Sequence, residues 1–353
     1  MLAVILLFSV PCNAVSARSA ALMDCTTGRI LYDKDLDRRS LIASTTKIMT
    51  ALIICERCNV LDRMRIPAAA VGIEGSSLYL HEGEVLTVQE LLYGLMLHSG
   101  NDAAVALAIY CGGTVEGFVQ MMNDKAHALG LTNTHFENPN GLDAESHYST
   151  ARDLGVLAAY AMQNPIFEKI VSTKTAKIGT RYLRNHNKLL WQLEGADGVK
   201  TGYTKAAGRI LVSSAKRQGR RLVAVTISAH DDWRDHISLM EEGFRQFEPY
   251  CIVKKDVCLG TAEIAGGTKN SVELIAKDDF TYALAQGERI DIRLPSPGFV
   301  YAPVAEGQDA GFAQIYLNDR WIGTVPLVFG QTIEQGVQPE PKFWHWLLGG
   351  SDT

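Results

Sequence analysis

The sequence predicts an α+β fold followed by a small all-β domain. Three observations support this prediction: a hairpin pattern near the N-terminus, a long region of helical periodicity, and strand-like segments that return toward the C-terminus. The chain has 353 residues, 47% of them hydrophobic, which is enough for one large core and a second, smaller one. The formal net charge of -5 argues against nucleic acid as the main partner.

The first part of the chain changes from strands to helices. Residues from about 19 to 36 predict a hairpin, because two strand-like segments flank a Thr-Thr-Gly turn. After Ser44, apolar residues recur at the spacing of a helix. Thr87 and Glu90 have the spacing of a capping box, which predicts the start of another helix.

Strand patterns return in the second half of the chain. Two strand-like segments flank Gln218-Gly219, which is typical of a hairpin turn, and the helical segment WRDHISLMEEGFRQF follows them. From about Tyr250, short strand-like runs are separated by Gly, Asn and Asp, as in an all-β domain. We therefore predict a first domain over residues 18–249 and a β-rich domain over residues 250–336.

The two ends of the chain predict features outside these domains. Residues 1–17 combine a short apolar run with small residues after it, which is typical of a secretory signal peptide. A buried N-terminal strand is the alternative. Residues 337–353 form a tail whose segment KFWHWLL suits a membrane interface, and a frayed tail is the alternative.

The seven cysteines leave the pairing of thiols open. A secreted chain could pair some of them, and Cys251 and Cys258 are close enough in sequence to bridge. Cys55 and Cys58 form a C-x-x-C within a helical segment, but no second C-x-x-C follows, which disfavours a zinc site. We interpret Cys55 and Cys58 as small buried apolar residues.

A serine and a lysine share one face of the first predicted helix. Ser44 and Lys47 are three residues apart, so their side chains point into the same space. Serine needs a neighbouring base to act as a nucleophile, and a desolvated lysine can lose its proton and serve as that base. Ser-x-x-Lys is common, however, and alone it indicates only an N-cap serine beside a solvated lysine.

Two further motifs gain meaning beside the first. Ser99-Gly100-Asn101 places a hydroxyl and an amide on a tight connection, where such groups can relay a proton and hold a substrate amide. Lys200-Thr201-Gly202 precedes the second hairpin, where a strand edge could bind an extended peptide and its carboxylate. Taken alone, the Ser-Gly-Asn motif indicates only a turn, and the Lys-Thr-Gly motif indicates only an exposed strand edge.

The order of the three motifs resembles that of the penicillin-recognising serine enzymes. Longer stretches, among them ASTTKIMTALI, LTVQELLYGLMLHSGNDAAVALA and DGVKTGYTKAAGRILVSSAKR, are similar to the low-molecular-mass penicillin-binding proteins of the D-alanyl-D-alanine carboxypeptidase family. The close resemblance covers roughly residues 19–248. It implies a β-lactamase/transpeptidase-like catalytic domain, with a helical cluster beside an antiparallel sheet, and then the family's C-terminal β domain.

This resemblance implies a role for each motif residue. Ser44 would be the acylated nucleophile, Lys47 the general base and Ser99 a proton relay. The implied substrate-binding residues are Asn101, Lys200, Thr201, Gly202 and Tyr203. The backbone N–H groups of Ser44 and Tyr203 would form the oxyanion hole. Arg234 is a further candidate, because a basic residue near this segment can bind the substrate carboxylate in the family.

The implied activity is removal of the terminal D-alanine from peptidoglycan pentapeptide stems through an acyl-enzyme on Ser44. β-Lactam antibiotics would inhibit the enzyme by acylating the same serine. The resemblance implies no metal or organic cofactor. Together with the signal peptide, it places the protein outside the cell, at the outer face of the cytoplasmic membrane or in the cell wall, with peripheral membrane contact through the tail.

Three alternatives stay open at this point. A β-lactamase uses the same motifs but needs an extra base, for which Glu137 is the candidate. The surrounding FENPNGL stretch, the Ser-Gly-Asn motif and the added β domain favour the carboxypeptidase. A D,D-endopeptidase would differ only in its substrate. A catalytically silent wall-binding protein would be expected to lack a motif residue, and all of them are present.

Overall fold

The computed structural model describes residues 15–294 and 299–336 and confirms the predicted α+β class with an all-β region after it. The chain divides into two compact units, Met1–Phe247 and Glu248–Thr353. Residues 1–14 of the predicted signal peptide and the whole predicted tail, residues 337–353, lie outside the described residues.

An antiparallel sheet of five strands forms the centre of the first unit. The strands of this unit are β1 (Ser19–Asp24), β2 (Ile30–Lys34), β3 (Arg63–Arg65), β4 (Val85–Thr87), β5 (Thr175–Ile178), β6 (Arg181–Arg184), β7 (Ala196–Thr204), β8 (Gly208–Arg217) and β9 (Arg220–Ile227). The central sheet has the order β2-β1-β9-β8-β7, while β3–β4 and β5–β6 are separate hairpins. Strand β7 is therefore an edge strand of the central sheet.

Helices cover both faces of this sheet. They are α1 (Lys47–Arg57), α2 (Val88–Leu97), α3 (Asn101–Gly112), α4 (Val115–Ala128), α5 (Ala151–Ala161), α6 (Pro165–Val171), α7 (Leu189–Gln192) and α8 (Asp232–Gln246). Because successive strand residues face opposite sides, Val223 and Val225 pack into the large core of the helical cluster. Leu22 and Leu222 pack on the other side, with Leu239 of α8. Every residue of β1 is buried for this reason.

The helix α2 begins where the capping sequence predicts. The Thr87 side chain accepts a hydrogen bond from the Glu90 N–H at 3.1 Å, and the Glu90 carboxylate accepts one from the Thr87 N–H at 2.8 Å. The helix then ends at Leu97, with His98 as its C-cap and Ser99 directly after it. A short 3-10 helix, Ala43–Thr46, leads directly into α1.

The second unit consists of strands in its described part. They are β10 (Phe247–Val253), β11 (Cys258–Ala265), β12 (Ser271–Ala276), β13 (Phe280–Ala285), β14 (Ile290–Arg293), β15 (Val300–Tyr301), β16 (Asp309–Leu317) and β17 (Arg320–Phe329). Six of them form a sheet in the order β14-β16-β17-β12-β11-β15, and β10 pairs with β13. Cys251 and Cys258 are both exposed and unpaired, so the bridge that their spacing allows is not formed.

In the part of the chain that the structure covers, no single helix is long and apolar enough to cross a membrane. Among the described helices, one pair reaches that length and hydropathy when taken together: α3 and α4, which are bent by 84° at the break between them.

Candidate active site

A cleft of about 1200 Å³ opens on the first unit where the three predicted motifs meet. The start of α1, the connection from α2 to α3 and the edge strand β7 form its inner wall. The motif residues that line it are Ser44, Ser99, Thr201, Gly202 and Tyr203. Three more lie beneath this surface, since Lys47 is 0%, Lys200 1% and Asn101 4% exposed. The structure therefore brings together all eight residues that the sequence singled out in these motifs.

Lys47 is the centre of a buried polar cluster. Its Nζ lies 3.1 Å from Ser44 Oγ and donates a hydrogen bond of 2.7 Å to Asn101 Oδ1. It also donates to the backbone carbonyl oxygen of Asn140. The one-turn spacing of Ser44 and Lys47 brings their side chains together as predicted. The carbonyl of Asn140 is a third partner that the sequence analysis did not identify.

The loop that supplies this carbonyl is fixed against α1. Thr50 Oγ1 donates a hydrogen bond of 2.7 Å to the Pro139 carbonyl oxygen, one turn along the helix from Lys47. At Gly141 the chain passes so close that a Cβ would lie 1.9 Å from the Ala43 carbonyl oxygen. Glycine at this position, with φ of +85°, is what lets the loop reach the helix.

Asn101 is oriented from both ends of its side-chain amide. Its Nδ2 donates to the Glu74 carbonyl oxygen, so its Oδ1 faces Lys47. Its backbone N–H donates to the Ser76 carbonyl oxygen at 2.7 Å. The neighbouring buried Asp102 carboxylate accepts from the N–H groups of Leu78 and Leu80. The segment beside the cleft is therefore tied to the start of α3.

Two residues next to the reacting groups have a left-handed backbone. Ala43 has φ of +44° and Ser99 has φ of +68°, although neither is glycine. Such conformations are strained and persist only where the surrounding structure enforces them. Here they direct Ser44 and the Ser99 side chain toward the same cleft.

The electrostatics of the two lysines follow from their burial. Desolvation holds the pKa of Lys47 well below its usual range, and the nearby charge of Lys200 lowers it further. Desolvation lowers the pKa of Lys200 to about 7. Lys47 therefore favours the neutral amine, whereas Lys200 lies close to its own titration point at neutral pH.

Strand β7 presents its free edge beside Ser44. A Cβ on Gly202 would lie 3.3 Å from the Ser44 backbone nitrogen, so glycine is what allows the strand to approach the nucleophile. Lys200 Nζ donates to the Thr201 carbonyl oxygen at 2.9 Å. Tyr203 is 65% exposed at the mouth of the cleft. An edge strand in this position can accept an extended peptide as an added strand.

Comparisons with known proteins agree with this architecture. Residues 7–231 match the family model described as D-alanyl-D-alanine carboxypeptidase, and residues 247–335 match that of the penicillin-binding protein 5 C-terminal domain. The chain belongs to the D-alanyl-D-alanine carboxypeptidase family. The predicted family and the predicted serine-type peptidase class are thereby confirmed.

Individual members of the carboxypeptidase family match over most of the chain. The D-alanyl-D-alanine carboxypeptidase DacF of Bacillus subtilis is 34% identical over 314 residues, which is 84% of this chain and 81% of that protein. DacC of Escherichia coli is 33% identical over 349 residues, 93% of this chain and 87% of that protein. The crystal structure of penicillin binding protein 5 from Haemophilus influenzae superposes with a TM-score of 0.80 at 30% identity, covering 91% and 98% of the two chains.

The cationic side chains that line the cleft include residues that the sequence analysis did not single out. Arg234 is exposed on α8, and among the described residues the lining set contains Asp232 and Trp233 of that helix but not Arg234. Arg184, Lys188 and Arg209 line the cleft. Of these, Arg209 of β8 lies directly opposite Tyr203 in the register of β7 and β8. It was missed because nothing in its sequence neighbourhood marks a strand arginine as facing a site.

Two other ionisable residues near the cleft add no charge to it. His186 lines the cleft, but desolvation, with the charge of Lys200, lowers its pKa to about 4, so it is neutral at pH 7. Glu137, the candidate base of the β-lactamase alternative, is exposed and does not belong to the lining set of the described residues. The family evidence likewise favours the carboxypeptidase over that alternative.

Proposed function

We propose that the chain is a serine D,D-carboxypeptidase that removes the terminal D-alanine from peptidoglycan stem peptides. Membership of the family supports the reaction class. The observation that supports the mechanism is the surroundings of Lys47 Nζ, which has two carbonyl-type acceptors and one hydroxyl within hydrogen-bond reach.

These surroundings suit a neutral lysine that acts as a general base. A neutral amine has two N–H groups and one lone pair. Asn101 Oδ1 and the Asn140 carbonyl oxygen accept the two N–H groups, because neither oxygen can donate. The lone pair then faces Ser44 Oγ at 3.1 Å, in position to accept its proton.

Acylation follows from this arrangement. Lys47 takes the Ser44 proton as Oγ bonds to the carbonyl carbon of the penultimate D-alanine. The N–H groups of Ser44 and Tyr203 bind the oxyanion that develops on that carbonyl. The C–N bond then breaks, and the proton held by Lys47 passes through Ser99 to the amine of the leaving D-alanine.

Hydrolysis of the acyl-enzyme repeats the same steps with water. A water molecule gives its proton to Lys47 and attacks the ester carbon, and the Ser44 oxygen leaves with that proton. A β-lactam would acylate Ser44 in the same way, but its opened ring stays attached after the C–N bond breaks, so deacylation is slow.

The substrate lies along the free edge of β7 in this proposal, with Asn101 binding a backbone amide. Thr201, Lys200 and Arg209 surround its terminal carboxylate. Arg209 is suited to this role because its Nη2 pairs with Asp232 at 2.7 Å while the side chain is 45% exposed. The guanidinium is thus partly exposed where it lines the cleft, and arginine stays charged at any physiological pH.

We also propose where the protein acts. The signal-like residues 1–17 support export, and the substrate class requires access to the cell wall. The aromatic tail over residues 337–353 supports peripheral contact with the outer face of the cytoplasmic membrane. Fractionation of cells that produce the full chain tests this, since release from membranes by deleting residues 337–353 is the expected result and unchanged membrane binding would contradict it.

Release of D-alanine from a peptide ending in Lys-D-Ala-D-Ala tests the proposed reaction. The native protein should release D-alanine, and Ser44→Ala should reduce the rate by about 10⁴-fold or more, because no other group forms the acyl-enzyme. Ser271→Ala, at an exposed serine of β12, is the matched control and should keep the native rate.

Labelling of the protein with a tagged penicillin distinguishes the carboxypeptidase from the alternative activities. Labelling of Ser44 without release of D-alanine would move the proposal to cross-linked peptides, as for a D,D-endopeptidase. Neither labelling nor release in a folded sample would refute an active-site serine enzyme. Glu137→Gln should leave penicillin turnover slow and unchanged, whereas a β-lactamase that used this residue as its base would stall.

A further inference from the structure

Two cysteines meet at the far ends of the helices that hold the active site. Cys58 is the C-cap residue of α1, and its N–H donates to the Ile54 carbonyl oxygen at 3.0 Å. Cys111 lies in the last turn of α3. The first of these helices begins at Lys47 and the second at Asn101, so the same two helices converge at both of their ends.

The two thiols are in contact and accessible. The Cys58 and Cys111 side chains form a hydrogen bond with each other. Both residues are only half-buried, whereas Cys55, one turn earlier on α1, is buried. A small reagent in solution can therefore reach the pair without unfolding the core. The interpretation of Cys58 as a buried apolar residue is wrong for this reason, while that of Cys55 is confirmed.

The pair is also polarised. The hydrogen bond with Cys58 and the charge of Arg57 lower the pKa of Cys111 to about 7. The same hydrogen bond raises the pKa of Cys58. Thiol–disulfide exchange proceeds through the thiolate, and the best attacking thiol has a pKa near the ambient pH. Cys111 is thus the thiol that reacts first, and Cys58 is placed to resolve the product.

We propose that Cys58 and Cys111 form a modification site that closes into an intramolecular disulfide by exchange with a low-molecular-mass disulfide. The Cys111 thiolate attacks one sulfur of the small disulfide, which forms a mixed disulfide and releases one small thiol. The Cys58 thiol then loses its proton and attacks the Cys111 sulfur, which releases the second small thiol. Two protein thiols and one small disulfide become one protein disulfide and two small thiols, so the electrons balance.

The closed bridge would join the two helices of the catalytic site covalently. It would close a loop of about 50 residues that contains Ser99 and Asn101, which reduces the freedom of the unfolded chain. The 11 residues of α1 separate the pair from Ser44 by roughly 16 Å, so the bridge touches no reacting atom. We therefore expect an effect on stability and little effect on the rate.

Incubation of the full chain with reduced and oxidised glutathione at several ratios tests the proposal. Peptide mapping under non-reducing conditions should find Cys58 linked to Cys111, and the melting temperature of the first unit should rise by roughly 5–10 °C on oxidation. Cys58→Ser and Cys111→Ser should each abolish the linked peptide and the shift. Cys251→Ser, at an exposed cysteine, is the control and should keep both.

Two outcomes would overturn the proposal. They are a glutathione adduct that stays on Cys111 without linkage, and a bridge between Cys251 and Cys258 only. Mass and melting temperature do not depend on catalysis. A failure here therefore leaves the proposed function untouched, and a failure of D-alanine release leaves this proposal untouched.

Discussion

The two units of the chain bury different kinds of side chain. Among the described residues, all buried polar and charged side chains lie in the first unit, from Ser19 to His236. The core of the second unit is apolar, with residues such as Ile315 and Leu327 at 0% exposure. Burying polar groups costs free energy unless they are partnered. In the described part of the first unit, only four buried side-chain atoms lack a hydrogen-bond partner: Ser19 Oγ, Asp197 Oδ1, Ser214 Oγ and Arg220 Nη2.

The first unit itself contains two kinds of buried polar group. His236 is held between Ser213 Oγ and Thr226 Oγ1, and desolvation lowers its pKa to about 3, so it is a neutral structural group. Lys47 and Lys200 are equally buried, yet they lie beneath an open cleft. The two kinds of residue therefore differ in their surroundings. A buried polar side chain can take part in the reaction when it lies beside the nucleophile and the open cleft, whereas one enclosed by other side chains serves the structure.

The largest expected effect comes from removing the buried base. Lys47→Met should lower D-alanine release by about 10⁴-fold, because Ser44 loses the group that takes its proton, while a labelled penicillin also fails to react. Steady-state release and near-UV circular dichroism measure activity and fold separately. Lys277→Met, at an exposed lysine of the second unit, is the control. Retained release in a folded Lys47→Met protein would show that another base acts.

A substitution in the core of the second unit should lower stability but leave activity unchanged. Ile315→Ala creates a cavity in an apolar core and should lower the free energy of unfolding of the second unit by about 3 kcal/mol. Release from a soluble peptide should stay within about twofold, because no residue of the cleft lies in this unit. Ile48→Ala, beside Lys47, is the matched variant of the first unit. It should lower both the free energy of unfolding of that unit and the rate of D-alanine release. Loss of activity in Ile315→Ala but not in Ile48→Ala would contradict the view that the core of the second unit does not affect catalysis.

The smallest expected effect concerns the carboxylate site and its pH dependence. Arg209→Gln should raise KM by about tenfold with little change in kcat, since it removes a charge that binds substrate. The Lys200 ammonium is present below its pKa of about 7 and is lost above it. As pH rises past 7, Arg209 keeps its charge beside the proposed carboxylate site, so KM of the variant should rise more steeply than that of the native protein.

Two results of that titration would contradict this assignment. Arg234→Gln is the control, and it should leave KM unchanged at every pH because Arg234 lies outside the cleft lining. A larger effect at Arg234 than at Arg209 would restore the residue that the sequence pointed to. Equal pH profiles for the native protein and Arg209→Gln would exclude Arg209 as a cation that binds the substrate carboxylate.

Local chemistry was predictable from the sequence, and contacts between distant segments were not. The capping box at Thr87 and the hairpin turn at Gln218 depend on neighbours a few residues away, and both formed as predicted. The meeting of the three motifs in one site was predictable because their order resembles that of a known family. Arg209 and the pair Cys58–Cys111 depend on which strand faces the cleft and on which helix ends meet, and no local pattern reports that.

The Asn140 carbonyl that binds Lys47 has a consequence for the evolution of drug resistance. It belongs to the backbone, so no exchange of the Asn140 side chain removes it, whereas Asn101 can be replaced by a single codon change. Only a change in the course of the loop would remove this acceptor. Substitution of Gly141 would force such a change, because a Cβ there would lie 1.9 Å from the Ala43 carbonyl oxygen. Selection by β-lactams therefore has fewer ways to alter this partner of the base than to alter the rim of the cleft.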